Sequence, residues 1–403
     1  MTVSRDRLVA LYRGIAYGTL NTVVLLIALN VALGTIFYVR DRRDTAARKA
    51  DPRLISYRDK YADLDAYTKM SREQATAMLD EQDAKGSIGL QYEPWTQFRE
   101  PTFAGRFLNT DSNGFRRSRA PQARSGAPVR VFVFGGSTTF GYGVSDEHTI
   151  PSYLQAALEE KHPNTPFAVR NLGQGYYFSS QEATLFNELV RRGDIPHVAV
   201  FIDGGNDAAN LGLMKDEPHF SDDAHAMWDQ RTHPAPAPPA PSWIPMVRLA
   251  HALRNRGGGP NGSTALPSAA FVRPDDSTSE GARRRADYVI SHYLHNTRMI
   301  DAACAEYRIV CRFVWQPHVA YKYDRSLHKT FPFPGEIPKY YAELWGTMEQ
   351  RKDPHFLYLG DMFATTKKKV YVDDVHYNET TNEQIARRIA DVLPPEIQNA
   401  RRP

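Results

Sequence analysis

From residue 129 onward, short apolar runs alternate with amphipathic stretches of helical length. Residues 129–134, 167–172, 197–203, 309–315 and 356–359 are rich in β-branched and aromatic side chains and read as strands. Helical stretches fall near 150–161, 180–192, 282–306, 340–351 and 381–392. Strand–helix alternation of this kind predicts βαβ units, a parallel sheet and helices on both of its faces. The pattern is interrupted once, between the third strand and the long helix. Residues 232–281 contain a Pro-rich run at 234–241 and a Gly-rich run at 257–263, so an extended or disordered insertion is expected there. It is either a solvated surface loop or a lid over the site.

The N-terminal third follows a different pattern. Residues 14–39 carry no charge, and Arg5, Arg7 and Arg13 precede them while Arg40, Arg42 and Arg43 follow. A helix needs about 20 apolar residues to cross a bilayer. Residues 1–43 are therefore expected to form a single-pass membrane anchor. A cleaved signal peptide is the competing reading, with Ala32-Leu33-Gly34 as a passable cleavage site; the apolar run continues past it through Val39, longer than a usual signal core. A buried core helix is the third, and the flanking arginines argue against it. Basic residues are at least as many after the run as before it, so charge does not fix the orientation.

Residues 44–85 are charged and helix-prone, with capping-box spacing at Ser71-Arg72-Glu73-Gln74, and read as a juxtamembrane stalk whose Tyr57, Tyr61 and Tyr67 are packing residues. Residues 91–117 are aromatic and turn-rich; Asn113-Gly114 is a hairpin signal, and a small β element is expected within the 44–128 region. Residues 124–128 form a linker, and the tail after Pro394 is short and basic.

The chain has 403 residues, enough for one large domain with additions or for two, and 42% of them are hydrophobic. A net charge of +4 is small against 50 basic and 46 acidic residues, and no basic stripe is interleaved with aromatics, which argues against nucleic acid. The two cysteines, Cys304 and Cys311, lack zinc-site spacing. They are either buried thiols or, in an oxidising compartment, a disulfide.

Four segments fall at carboxyl ends of expected strands or at the entry to the last helix, hence on one rim of one sheet, where open α/β sheets bind ligands. They are Gly135-Gly136-Ser137, Asn171-Leu172-Gly173-Gln174-Gly175, Asp203-Gly204-Gly205-Asn206-Asp207 and Asp373-Asp374-Val375-His376. Each alone is ordinary turn composition. Together they fit acyl transfer. A serine hydroxyl needs a base, histidine suits that role, and histidine needs a carboxylate to fix its tautomer. Developing oxyanion charge needs aimed donors. The backbone N–H groups of Ser137 and Gly175 and the amide of Asn206 are candidates, with Gly173 as the alternative glycine. Asp373 is the expected orienter of His376, and Asp374 its competitor. Gln316 and His318 end the fourth strand on the same rim and are candidates for lining the pocket. Tyr142, Tyr176 and Tyr177 are candidate walls or core packing.

This set resembles the SGNH (GDSL-like) hydrolase superfamily, whose members carry a serine block, a glycine block, a Gly-x-Asn-Asp block and Asp-x-x-His in this order. The resemblance covers 129 to about 393 apart from the insertion. An Asp-Ser-Asn-Gly-Phe-Arg stretch like residues 111–116 often precedes the serine block in membrane-attached bacterial members. The serine block here reads Gly-Gly-Ser-Thr rather than Gly-Asp-Ser-Leu, which leaves the subfamily open. The resemblance implies a three-layer α/β/α flavodoxin-like domain at 129–395 with a five-stranded parallel sheet, and no metal or organic cofactor. It also implies a Ser137–His376–Asp373 triad that cleaves carboxylic O-acyl esters on a small molecule, or on a cell-envelope glycan or lipid, with the domain outside the cytoplasm. Acyl transfer onto a sugar hydroxyl would use the same triad, and a non-catalytic, membrane-tethered glycan-binding or assembly protein could keep the fold.

Overall fold

The computed structural model describes residues 5–50, 62–213, 244–247, 249, 278–328 and 337–393. Its first element, α1 (Arg5–Ala50), is one continuous helix. The stretch Arg5–Arg40 reaches a mean hydropathy of 2.3 and is long and apolar enough to cross a membrane. The helix does not stop where the apolar run does, because Ala46, Ala47, Arg48, Lys49 and Ala50 are all strong helix formers. Most of the expected insertion at 232–281 lies outside the described residues, as do Tyr57, Tyr61 and the tail beyond Leu393.

A separate compact unit holds the other elements named below. It begins with a single turn at Leu64–Ala66 and α2 (Arg72–Gly86). The capping box forms: the Gln74 N–H donates to Ser71 Oγ, and the Ser71 N–H donates to Gln74 Oε1. Two small antiparallel pairs follow, β1 (Gln91–Glu93) with β2 (Gln97–Arg99) and β3 (Phe103–Ala104) with β4 (Asn109–Thr110). Asn113-Gly114 makes the expected turn, with Gly114 at φ +78° and its N–H on the Asp111 carbonyl. The stalk expectation needs correcting from residue 62 onward. This segment is docked on the main domain, not held away from it. The buried Glu379 carboxylate accepts the N–H groups of Thr68, Lys69 and Met70, and Gln82 Oε1 accepts the Gly143 N–H.

The main domain runs β5 (Val129–Gly135), the short α3 (Ser137–Phe140), α4 (Ile150–Lys161), β6 (Phe167–Asn171), α5 (Ser179–Arg191), β7 (Val198–Asp203), α6 (Ser279–Tyr307), β8 (Val310–Trp315), α7 (Tyr340–Glu349), β9 (Phe356–Tyr358) and α8 (Glu379–Val392). Each expected strand and helix is present, its ends shifted by a few residues. The five strands are parallel, in the order β6-β5-β7-β8-β9. That is the flavodoxin-like order, and it reverses direction at β5, the place where such sheets open a crevice.

From Val131 onward β5 is buried on both faces, which is why its sequence is continuously apolar there. Val129, Val131 and Val133 pack with Leu154 and Leu158 of α4 and Ile385 and Ile389 of α8. Phe132 and Phe134 face the other way, toward α5 and α6. Phe134 stacks on Phe201 at 4.7 Å and meets the edge of Phe186 at 5.8 Å. Cys304 near the end of α6 and Cys311 in β8 form a disulfide.

Candidate active site

Ser137 is the first residue of α3, two residues beyond the end of β5. Because it is the first residue of the helix, its N–H has no acceptor within the helix. The close turn is set by Gly136, whose missing side chain leaves room for the Asn206 amide and the Tyr177 carbonyl. His376 sits on a tight reversal. The Tyr371↔Tyr377 bridge and the Val372 N–H on the His376 carbonyl, 2.8 Å, hold the two arms together.

The reversal brings His376 to the serine across 239 residues of chain. His376 Nε2 lies 2.8 Å from Ser137 Oγ, and His376 Nδ1 lies 2.6 Å from Asp373 Oδ2. The other Asp373 oxygen accepts the N–H groups of Val375 and His376. Asp374 is not the partner of the ring. A carboxylate accepts only, so Nδ1 carries the proton and Nε2 is left as acceptor for the serine hydroxyl. Burial works against a charged imidazole here, but the charge and hydrogen bond of Asp373, with the charge of Asp374, together outweigh it, and the His376 pKa is raised above its ordinary 6.5.

Asn206 stands two residues after Gly204, which takes φ +121° and lies against the Trp315 ring. The Asn206 amide donates one hydrogen to the Tyr177 carbonyl at 2.7 Å. An amide nitrogen has a second hydrogen to give. Asp207 turns inward and accepts from Ser179 Oγ at 2.6 Å. With Glu182 and Asp203 it makes a fully buried carboxyl cluster. Burial first, then neighbouring carboxylate charge, raises the pKa of Glu182 and Asp203; burial raises that of Asp207.

The glycine block departs from expectation. The Gly173 N–H is taken by Asn171 Oδ1 at 3.0 Å. The Gly175 N–H, the expected oxyanion donor, is taken by Glu100 Oε1 at 3.1 Å. Glu100 is 1% exposed and ion-paired to the equally buried Lys85. With the Gly175 N–H held by Glu100, the groups beside Ser137 Oγ that could serve an oxyanion are the Ser137 N–H and the second hydrogen of the Asn206 amide. Gly175 is still required to be glycine, since a Cβ there would run into Glu100 and the Tyr142 hydroxyl.

The other candidates divide. Tyr142 donates to Glu100 Oε1 at 2.5 Å, with its ring 5.3 Å from the His376 ring. Tyr176 is 39% exposed, in the left-handed region at φ +68°, with Asn210 Nδ2 donating to its carbonyl. Tyr177 is core: its ring meets Phe98 edge-on, and its hydroxyl donates to the Phe98 carbonyl. Gln316 is buried and accepts from the Thr138 hydroxyl at 2.8 Å, beside the serine. His318 is sandwiched against Tyr341 and Trp345, and its Nδ1 accepts the Ala320 N–H. Burial, helped by His328, pushes its pKa down to about 3, so it stays neutral.

Two residues that support the site had no sequence signal beyond their charge, Lys85 and Glu100; a third, Arg116, closes the 111–116 stretch singled out in the sequence. Arg116 is buried, pairs with Asp146, and donates to the carbonyls of Gly141 and Val144 just after the serine helix.

No family model matches this sequence, and no curated protein does. Several solved structures do. An acetyl xylan esterase, AlAXEase, is 14% identical over 66% of this chain and 100% of its own, with a TM-score of 0.34. A protein of Desulfitobacterium hafniense DCB-2 assigned to the G-D-S-L lipolytic family is 13% identical over 66% and 99%, TM-score 0.32. A carbohydrate acetylesterase family member of Sinorhizobium meliloti is 17% identical over 65% and 96%, TM-score 0.31. At such identities and scores the chemistry has to be argued from the site itself. In this structure the four blocks follow one another in order and meet at one edge of a five-stranded parallel sheet.

Proposed function

We propose that this protein is a membrane-anchored serine hydrolase of carboxylic O-acyl esters. The observation that carries the reading is the continuous relay from Asp373 through His376 to Ser137, with contacts of 2.6 and 2.8 Å. Ser137 Oγ attacks the ester carbonyl as His376 Nε2 takes its proton. Negative charge on the carbonyl oxygen is met by the Ser137 N–H and the free hydrogen of the Asn206 amide. His376 then returns the proton to the leaving alkoxide, and an acyl-serine remains. Water, activated by the same imidazole, releases the acid. Asp373 keeps the ring oriented and stabilises its charged form without itself taking the proton. Tyr176 and Tyr142 form walls of the approach, while Gln316 and His318 shape its floor from behind.

The acyl group is expected on a cell-envelope glycan or lipid. Support for that placement comes from the apolar α1 and from the Cys304–Cys311 disulfide, since such bonds persist in oxidising compartments. The test is an ester-hydrolysis screen of the detergent-solubilised protein beside Ser137→Ala, with and without added sugar. Acid release lost in Ser137→Ala supports the reading. Acyl-sugar product at the expense of acid would move it to acyl transfer, and equal rates in the two proteins would refute it.

A further inference from the structure

We propose that Glu100, from the segment that precedes the hydrolase domain, is a positioning residue for the catalytic centre. The inference rests on the serine-hydrolase reading above. Glu100 grips the glycine block from two sides. Its backbone N–H donates to Gln174 Oε1 at 2.7 Å, and its carboxylate accepts the Gly175 N–H at 3.1 Å. Gln174 is fixed further by its own N–H on the Gly135 carbonyl and by its amide on the Gly114 carbonyl. Two residues beyond Gly175, the Tyr177 carbonyl receives the Asn206 amide at 2.7 Å. Glu100 thus anchors the stretch of backbone that sets where the Asn206 donor points. The same carboxylate oxygen accepts the Tyr142 hydroxyl at 2.5 Å, and the Tyr142 ring lies beside that of His376. One buried group is tied to both the oxyanion donor and the base.

Lys85 makes this arrangement possible. Its ammonium pairs with Glu100 and lies over the rings of Phe140 and Tyr142. Without it, a bare carboxylate would stand close to a developing oxyanion and oppose it. Glu100 and Lys85 both come from the segment before β5, so that segment completes the active site and is more than a spacer.

The test compares wild type, Glu100→Ala, Glu100→Gln and the paired Lys85→Met/Glu100→Met on p-nitrophenyl acetate, with thermal melts alongside. The paired variant replaces a buried ion pair by apolar side chains of similar length, a change that cores often accept. The expected result is a fall in kcat of ten-fold or more in Glu100→Ala and in the paired variant, with KM within about two-fold. Glu100→Gln, which keeps an acceptor oxygen for Gly175 and Tyr142, should recover part of kcat. A paired variant that melts like wild type and turns over like wild type would overturn the inference alone. Wild type no faster than Ser137→Ala would overturn the hydrolase reading and this inference with it.

Discussion

His376 is the residue through which pH acts on this site. It must be neutral at Nε2 to take the serine proton, and its pKa is raised above 6.5 once Asp373 and Asp374 together have outweighed burial. Activity should therefore climb with pH and reach its plateau only above the usual histidine range; a kcat/KM profile already flat at pH 6 would contradict this. Asp373→Asn should lower kcat on the order of 10⁴-fold, because an amide favours the wrong tautomer of the ring. Asn206→Ala should lower kcat by about 10²–10³-fold, with a smaller change in KM, since the amide serves charge that exists only in the transition state. Ser137, His376 and Asp373, which the structure brings into contact, were legible one by one, since each sits in a short local pattern at a strand end or at the entry to the last helix. Glu100 was not. Its partners are Lys85, Tyr142, Gln174 and Gly175, and the separations in sequence reach 75 residues. Nothing in the local spacing of Phe98-Arg99-Glu100-Pro101 marks a buried carboxylate.

The elements tell a related story. The five strands and their flanking helices were readable because a strand buried on both faces leaves an apolar run, and amphipathic helices leave a 3.6-residue period. The docking of residues 62–117 was not readable. It depends on single polar contacts such as Glu379 with the backbone at 68–70, which leave no period. Between α5 and β7, the Glu182, Asp203 and Asp207 cluster gives a stability prediction. Their folded pKa values are raised above the ordinary 4.5 and 3.8, so the protonated cluster favours the fold at low pH. That contribution is whole below the ordinary values and is lost as pH rises through the raised ones. The melting temperature should fall as pH rises above the ordinary carboxylate range, and fall less in Glu182→Gln; an unchanged slope in the variant would exclude the cluster as its source. The Cys304–Cys311 bridge closes a short loop with a separation of 7, which is worth roughly 2–3 kcal/mol by the chain-entropy account. Reductant should lower the melting temperature of wild type and leave a Cys304→Ala/Cys311→Ala variant where it is.

At the scale of the whole molecule, one apolar helix among the described residues precedes a unit that carries a disulfide. The proposed placement of this unit in an oxidising compartment would account for both. Alkaline phosphatase fused after the last residue should be active, and a cytoplasm-only reporter at the same point silent; the reverse would place the domain inside. The central claim is narrower than topology. It is that chain segments far apart in sequence come together so that Ser137 becomes nucleophilic. The most direct measurement is to treat the intact protein with a fluorophosphonate probe and map the adduct by peptide mass spectrometry. The account predicts one adduct, on Ser137, that disappears in His376→Ala. Ester hydrolysis by a protein whose Ser137 stays unlabelled would contradict it.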